Sequence, residues 1–317
     1  MTWLVERGIG EDRALLVENG RALAARVRWP GELRPGQTVA ATLVQRSAGA
    51  SRGMAMTAAG QAILVDRIPK GASEGAEVHV AVTRAAMAER GRLKRAQGRW
   101  SDGPGEAPAP DTFDTASPVR RFPAGLWEDI WSAAWDREVA FAGGALLFAV
   151  TPGMTVIDID GDLPPRELAL AAVPAVTSSL RLFELGGSIG IDFPTLQAKA
   201  DRAAVDAALA ATLMDWPHER TAMNGFGFVQ IVARSTGPSL LHRLTHHRTA
   251  AAARMLLRRA EGLEGAGAIE LTAHSAVLGA LEPGWLADLA HRTGREVRLQ
   301  ADHALAFEAS HAQIVPR

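Results

Sequence analysis

Three aspartates at the ends of two short apolar runs are the residues best suited to metal chemistry. The run 155–161 carries Asp158 and Asp160, and the run 186–193 carries Asp192. Runs of about five apolar or β-branched residues bounded by glycine and proline are typical of buried strands, and ligands in α/β sheets gather at strand ends. We therefore expect two adjacent strands to bring three carboxylates together.

Such a cluster repels itself unless protons or a divalent cation neutralise it. Oxygen ligands suit Mg²⁺, with Mn²⁺ as the alternative. Asp158, Asp160 and Asp192 are therefore the predicted metal ligands, and Asp158 and Asp192 are the predicted catalytic residues. The competing interpretation is that these aspartates only cap loops or following helices.

The context of Asp192 adds a family resemblance. The segment 181–187 reads Arg-Leu-Phe-Glu-Leu-Gly-Gly, and 224–229 reads Asn-Gly-Phe-Gly-Phe-Val after an intervening helical segment. This order resembles the catalytic part of the ribonuclease E/G family, in which I-D-V-N leads through a helix to R-L-R-D-L-G-G-x-I-x-I-D-F and later to F-G-L. The chain departs from that pattern at two positions. The family has asparagine where this chain has Asp160, and it has a second acidic residue where this chain has Thr195.

The resemblance implies a magnesium-dependent endoribonuclease in which the metal activates water to cleave single-stranded RNA. It also implies a short form of the family, since no folded segment is long enough for the sensor of the RNA 5′ end. The cysteines that link subunits through zinc are missing as well, because the chain contains no cysteine. A cysteine-bound zinc is therefore excluded.

Composition bounds the class of protein. The chain has 317 residues, of which 47% are hydrophobic, which is enough for packed cores. It shows no long apolar run and no signal-peptide pattern at its start. We therefore predict a soluble, cytoplasmic protein with no membrane partner, for which a homodimer stays an open alternative.

Positive charge must be concentrated locally if a chain of net charge −1 is to bind RNA. One basic cluster spans 84–99 and a second spans 243–259. Solvated helical faces explain both clusters equally well. The residues that we expect to contact RNA are Arg84, Arg92, Lys94, Arg95, Lys199, Arg202, Arg220 and Arg234.

The predicted fold class is α/β with several subdomains. Asn19-Gly20 between two apolar runs predicts an opening hairpin, and short strand-like runs over 35–84 predict a small barrel. With the resemblance, these elements imply a ribonuclease-H-like domain at 1–34 and 85–150, interrupted by an S1-like OB barrel at 35–84. A DNase I-like, metal-binding catalytic subdomain then covers 151–238, and a connecting helix with a small C-terminal α/β domain covers 239–317.

Individual elements are also predicted. Helices are expected at 85–99, 165–185, 196–216 and 240–261, and a Pro- and Gly-rich composition predicts a flexible linker over 101–123. Trp127, Ile130, Trp131 and Ala134 share one helical face and are predicted core residues. No Phe or Tyr occurs before Phe113, and neither Trp3 nor Trp29 falls within the predicted barrel. We therefore expect a barrel without aromatic residues for base stacking, which would make it a scaffold or an electrostatic guide.

Other chemistries compete with the nuclease interpretation. Asp158 and Asp160 also look like the D-x-D-G-T-L start of haloacid-dehalogenase-type phosphatases, although Asp162 replaces the threonine. Residues 186–190 match G-x-S-x-G, but a helix, a turn and a strand are predicted there in the wrong order for a nucleophile elbow. A non-enzymatic RNA-binding protein of the same fold, with weak or no cleavage, is the main alternative.

Overall fold

The computed structural model describes residues 1–47, 50–105 and 109–317. These residues form a mixed α/β protein with several sheets, one of which closes into a barrel. The strands are β1 (Thr2–Arg7), β2 (Asp12–Glu18), β3 (Arg21–Arg28), β4 (Thr38–Arg46), β5 (Arg52–Met56), β6 (Ala62–Asp66), β7 (Glu77–Arg84), β8 (Met87–Glu89), β9 (Arg92–Lys94), β10 (Ala96–Ser101), β11 (Ser117–Val119), β12 (Glu138–Phe141), β13 (Gly144–Val150), β14 (Thr155–Gly161), β15 (Gly187–Asp192), β16 (His218–Arg220), β17 (Phe228–Ala233), β18 (Ala268–Ala273), β19 (Val297–Ala301) and β20 (His311–Val315). The helices are α1 (Thr112–Thr115), α2 (Leu126–Asp136), α3 (Pro165–Leu182), α4 (Lys199–Thr212), α5 (Leu240–His246), α6 (Arg248–Glu261), α7 (Ser275–Leu278) and α8 (Pro283–Thr293), with a 3₁₀ turn at Phe307–Ala309.

The N-terminal sheet is completed only after the barrel. Strands β1, β2 and β3 pair antiparallel, and the β2–β3 turn has Asn19 and Gly20 at positive φ, as a tight hairpin turn requires. The predicted hairpin is therefore confirmed. Strand β11 then returns to pair parallel with β1, so the barrel interrupts one sheet.

The closed barrel has the strand order β10-β6-β5-β4-β7. Its fifth strand, β10, lies beyond the predicted boundary at residue 84, and the predicted helix over 85–99 is wrong. Residues 87–94 form the hairpin β8–β9 instead, with Gly91 at positive φ in its turn. Gly98 lets β10 approach β7 closely, because a Cβ there would collide with Val80.

The corrected boundary also changes the aromatic content of the barrel. Trp100 belongs to β10 and packs, partly buried, against the barrel core. Its indole Nε1 donates a hydrogen bond to Asp102 over 3.2 Å. The expectation of a barrel without aromatic residues is therefore wrong.

The predicted flexible linker over 101–123 contains regular structure. Residues 106–108 of that segment lie outside the described residues. Asp111 caps α1 by accepting a hydrogen bond from Phe113 N, and Phe113 is buried against Val5 and Ala14. Because an apolar anchor and the strand β11 hold this part of the chain, the linker prediction does not apply to it.

The six-stranded sheet carries the three aspartates, in the order β12-β13-β14-β15-β17-β16. Helix α3 connects β14 to β15, which pair parallel as predicted. One face of the sheet is buried with α2 and α3 in the main core. Trp127, Ile130, Trp131 and Ala134 are all buried there, which confirms the predicted apolar stripe of α2.

The predicted helix at 240–261 is broken into α5 and α6 at His247. Its arginines do not form a basic surface, because Arg243, Arg254 and Arg258 are buried. Arg258 donates hydrogen bonds to Glu6 of β1, and Arg243 holds Glu32 with two bonds of 2.7 Å. The second predicted basic cluster is therefore largely a structural network between α5, α6 and the N-terminal sheet.

The C-terminal segment forms a three-stranded sheet, β19-β18-β20, with α7 and α8 between β18 and β19. Strand β19 pairs parallel with β18 and β20 pairs antiparallel. This confirms the predicted order of strand, helix and two strands. None of the helices in the described ranges is long and apolar enough to cross a membrane.

Candidate functional site

Asp158 and Asp192 are neighbours on the exposed face of the six-stranded sheet. They occupy paired register positions on β14 and β15, and both side chains are exposed. Adjacent strands lie ~4.8 Å apart, and register-paired side chains point to the same face. Asp192 ends its strand as expected, but Asp158 lies in the middle of β14 rather than at its end.

Asp160 is two residues further along β14 and faces the same side because side chains alternate along a strand. Its carboxylate accepts a hydrogen bond of 2.9 Å from Gly161 N, and Ala145 is its register partner on β13. Within residues 1–47, 50–105 and 109–317, no three His, Asp or Glu side chains are grouped closely enough to hold a metal ion. The structure thus brings two of the three predicted ligands together.

The paired carboxylates have no cationic partner in the described part of the chain, where every ion pair involves other acids. Two like charges at this spacing repel, and a divalent cation would relieve the repulsion. Mg²⁺ is commonly bound by one or two carboxylates, with water and substrate phosphate as its other ligands. Asp158 and Asp192 therefore fit a magnesium ion.

A short loop beside Asp192 projects an aromatic side chain into solvent. Phe226 is 83% exposed. Asn224 Oδ1 accepts hydrogen bonds from Phe226 N and Phe228 N, and Phe193 N donates to Gly227 O. Gly227 has φ +92, and a Cβ there would meet the Phe193 carbonyl, so the loop is fastened to the residue that follows Asp192.

The loop is part of the 224–229 motif of the sequence, but no role was predicted for Phe226. The sequence signal that could have indicated one is an aromatic residue between two glycines, directly before a strand. Phe228 is the register partner of Asp192 on β17, and Gln230 on the same strand donates a hydrogen bond of 3.1 Å to Ser188 Oγ. The exposed face therefore offers carboxylates, an amide and a projecting ring side by side.

The basic residues expected to contact RNA fall into two groups. Five of them are exposed, namely Arg92, Lys94, Arg95, Lys199 and Arg234. Arg92 and Lys94 both pair with Glu89, which reduces the net charge of the β8–β9 hairpin.

The other three are engaged within the protein. Arg84 is 8% exposed, and its Nη2 donates to Arg95 O over 2.7 Å. Arg202 donates to the carbonyls of residues 196 and 197, and Arg220 donates to Asp206 over 2.7 Å. Arg202 and Arg220 therefore hold the α4 segment in place.

A large cavity lies away from the aspartates. It has a volume of about 840 Å³ and lies where β3, the end of α3 and the 233–238 segment meet. Most of its arginines are neutralised, as in the Arg26–Glu184 and Arg34–Asp111 pairs. Arg234 also lines this cavity. The cavity borders the beginning of β15 and the end of β17, so it lies at the opposite end of these strands from Asp192.

The histidines of α5 do not form a metal site within the described residues. Burial, together with the neighbouring His246, lowers the pKa of His242 to about 4. His242 is therefore neutral near pH 7. The region 183–187 runs from helix to turn to strand, which confirms that the G-x-S-x-G match is not a nucleophile elbow.

No family model matches the chain, and no curated protein matches its sequence.

Proposed function

We propose that the protein is a magnesium-dependent endoribonuclease that cleaves single-stranded RNA, with a short form of the ribonuclease E/G architecture. The observation that carries the proposal is the register pairing of Asp158 with Asp192 on an exposed sheet face, beside the projecting ring of Phe226. Paired carboxylates suit a metal that works on phosphate esters, and an exposed aromatic ring suits an unpaired base.

The finer assignment of subdomains belongs to the same proposal. In it, the interrupted sheet β11-β1-β2-β3 is the ribonuclease-H-like part, and the barrel of 38–101 is the S1-like OB part. The sheet and helices of 138–233 contain the DNase I-like catalytic part, and residues from 268 onward form the small C-terminal domain. A barrel inserted between β3 and β11 supports this order.

In the proposed mechanism Asp158 and Asp192 would hold Mg²⁺, which would supply an activated water and a positive charge for attack on the phosphodiester. Phe226 stacks against a base beside the scissile bond, and the fastened loop 224–228 keeps that ring in a fixed place relative to Asp192. Gln230 and Ser188 offer hydrogen-bonding groups further along the same face. Preorganised groups of this kind position the substrate without rearrangement during the reaction.

A non-catalytic RNA-binding protein of this fold is the second candidate. The observation that favours it is that the third carboxylate, Asp160, is engaged by Gly161 N and does not complete a three-acid cluster. Both candidates share the RNA surface, and they differ only in chemistry.

One experiment separates the two candidates. The purified protein is incubated with a 5′-labelled single-stranded RNA in Mg²⁺ or in EDTA, and RNA binding is measured in EDTA in parallel. Products that appear only with Mg²⁺ and are absent in an Asp158→Asn variant support the nuclease. Binding without metal-dependent products supports the RNA-binding protein, and neither binding nor products contradicts both.

A further inference from the structure

A smaller cavity, of about 270 Å³, lies between the β8–β9 hairpin and the beginnings of β14 and β15. Arg84, Lys94 and Gln97 line it from the barrel side, Thr155 and Ser188 line it from the sheet, and His242 lines it from α5. Thr155 is three residues before Asp158, and Ser188 is four residues before Asp192. At ~3.3 Å per strand residue the cavity is about 10–13 Å from the paired aspartates, so it is a separate site on the same two strands.

Arg84 is the unusual member of this lining. Its side chain is buried, at 8% exposure, and Nη2 donates to Arg95 O over 2.7 Å. Its Nε and Nη1 have no hydrogen-bond acceptor among the described residues. A guanidinium group stays protonated in proteins, and a buried charge with unpaired donors is unfavourable. Arg84 therefore places a buried positive charge with two unpaired donors at the wall of a cavity.

The nearest acid does not satisfy those donors. Glu89 also lines the cavity, but its two oxygens accept hydrogen bonds from Arg92 Nε over 2.6 Å and Lys94 Nζ over 3.3 Å. With Arg84 and Lys94 as cations, Glu89 as the anion and His242 neutral, the lining keeps one positive charge. An anion is the ligand that this charge and these donors favour.

The remaining lining groups also include donors. Ser239 Oγ accepts a hydrogen bond from His242 N and lies 2.7 Å from His242 Nδ1. Ser239 and the His242 ring are therefore hydrogen-bonded to each other, and a neutral imidazole carries one N–H donor. Gln97 adds an amide and Ser188 adds a hydroxyl. The cavity thus combines a guanidinium, an ammonium and neutral donors around a small volume.

We propose that this cavity binds a phosphate group through Arg84 and Lys94. The guanidinium supplies a fixed positive charge and N–H donors to phosphate oxygens, and the ammonium adds a point charge. The volume is below the ~300–1,000 Å³ of sites that hold drug-sized ligands, so one phosphate group is the fitting size. That group can be inorganic phosphate or a backbone phosphate of RNA lying along β14 and β15, and only the second source rests on the proposed nuclease function.

The first test uses inorganic phosphate and thermal unfolding of the full chain. A ligand that binds only the folded state raises the midpoint temperature with its concentration, so phosphate should raise it more than chloride does at equal ionic strength. Arg84→Lys keeps the charge and removes the guanidinium N–H donors, and the apparent affinity for phosphate should fall at least about tenfold. Arg90→Lys is the matched control, because Arg90 is exposed on the same hairpin outside the cavity.

If Arg84→Lys does not fold, Lys94→Gln tests the same cavity from its exposed side and should weaken phosphate binding. The proposal is overturned if phosphate and chloride have equal effects on the wild type. It is also overturned if every folded variant of the cavity responds to phosphate as the wild type does.

The second test identifies the source of the phosphate. Binding of a fluorescent single-stranded RNA is measured in EDTA, so that no metal-dependent cleavage occurs, with increasing inorganic phosphate at constant ionic strength. If inorganic phosphate displaces RNA from the wild type, and displaces it less effectively from Arg84→Lys, the site binds an RNA phosphate. A phosphate-dependent rise in midpoint temperature without competition assigns it to free phosphate. Because the thermal test needs no RNA and no cleavage, it stands or fails independently of the nuclease proposal.

Discussion

Replacing Asp192 with asparagine tests the paired carboxylates with almost no change of shape. Asp192 and Asp158 are register partners on parallel strands, so their carboxylates are separated by about one inter-strand spacing, ~4.8 Å. Two unit charges at ~4.8 Å interact with about 0.9 kcal/mol in a medium like bulk water. Since both side chains are exposed, this value is the appropriate scale.

Asp192→Asn should therefore leave the free energy of unfolding unchanged or raise it by up to about 0.9 kcal/mol. Activity should move in the opposite direction. Loss of a ligand to the metal should slow RNA cleavage at least about a hundredfold, which is the scale of losing one electrostatic contact to the transition state. A catalytic loss without a stability loss is the expected signature of a functional carboxylate.

The assay is single-turnover cleavage of one labelled RNA at fixed Mg²⁺ and ionic strength, with urea unfolding of each variant in parallel. Asp162→Asn is the matched control, because Asp162 is exposed just after β14 and has no register partner on β15. The control removes the same charge from the same region and should keep wild-type cleavage. Cleavage by Asp192→Asn within about threefold of the wild type, or an equal loss in Asp162→Asn, would refute the reasoning.

Three further results are expected. Phe226→Ala should weaken the binding of single-stranded RNA by about 1–3 kcal/mol, the contribution of one stacked base, while Phe226→Trp should retain binding in the same fluorescence assay. Burial alone would raise the pKa of Glu6, but the hydrogen bond from Arg258 and the charges of Arg13 and Arg258 outweigh it and lower the pKa below its ordinary value of 4.5. The ion-pair network should therefore stabilise the fold above that value and lose its contribution as pH falls through the folded-state pKa. In urea unfolding at several pH values, Glu6→Gln should lack this acid sensitivity and should be less stable than the wild type by about 3–5 kcal/mol at neutral pH. Gly98→Ala should destabilise the barrel by about 1–3 kcal/mol through overpacking, whereas Gly71→Ala, where no atom lies within 4 Å of the added Cβ, should unfold at the wild-type urea concentration.

Local patterns in the sequence were enough to predict several elements. The Asn19-Gly20 turn, the apolar stripe of α2, the helix α3 and the parallel pairing of β14 with β15 were all predicted and confirmed. Each depends on interactions between residues close in the chain, or on the rule that a helical crossover joins parallel strands. Asp158 and Asp192 were placed on adjacent strands for the same reason.

Other features depend on partners that are distant in sequence. The segment 85–99 has the composition of a helix, yet β10 closes the barrel because β6 and β7 present free edges to it and Gly98 allows the close approach. Arg243, Arg254 and Arg258 look like a basic surface in the sequence, but Glu6 and Glu32, more than 200 residues away, draw two of them into the core. Secondary-structure propensity cannot predict such pairings, because it contains no information on which strand edge or acidic residue will lie close in the folded protein.

Some features of the candidate site could likewise be predicted from the sequence, and others depend on the tertiary structure. The sequence by itself determined the type of ligand, since the chain has no cysteine thiolate and its carboxylates are the oxygen ligands that Mg²⁺ prefers. The tertiary structure decided that Asp158 and Asp192 are register partners, that Asp160 is held apart by one strand repeat, and that Phe226 projects beside them. It also decided that Arg84 is buried with two unpaired donors. The physical reason is that residue type sets the chemistry of a side chain, whereas spacing and burial are set by the packing of strands that the chain brings together from distant positions.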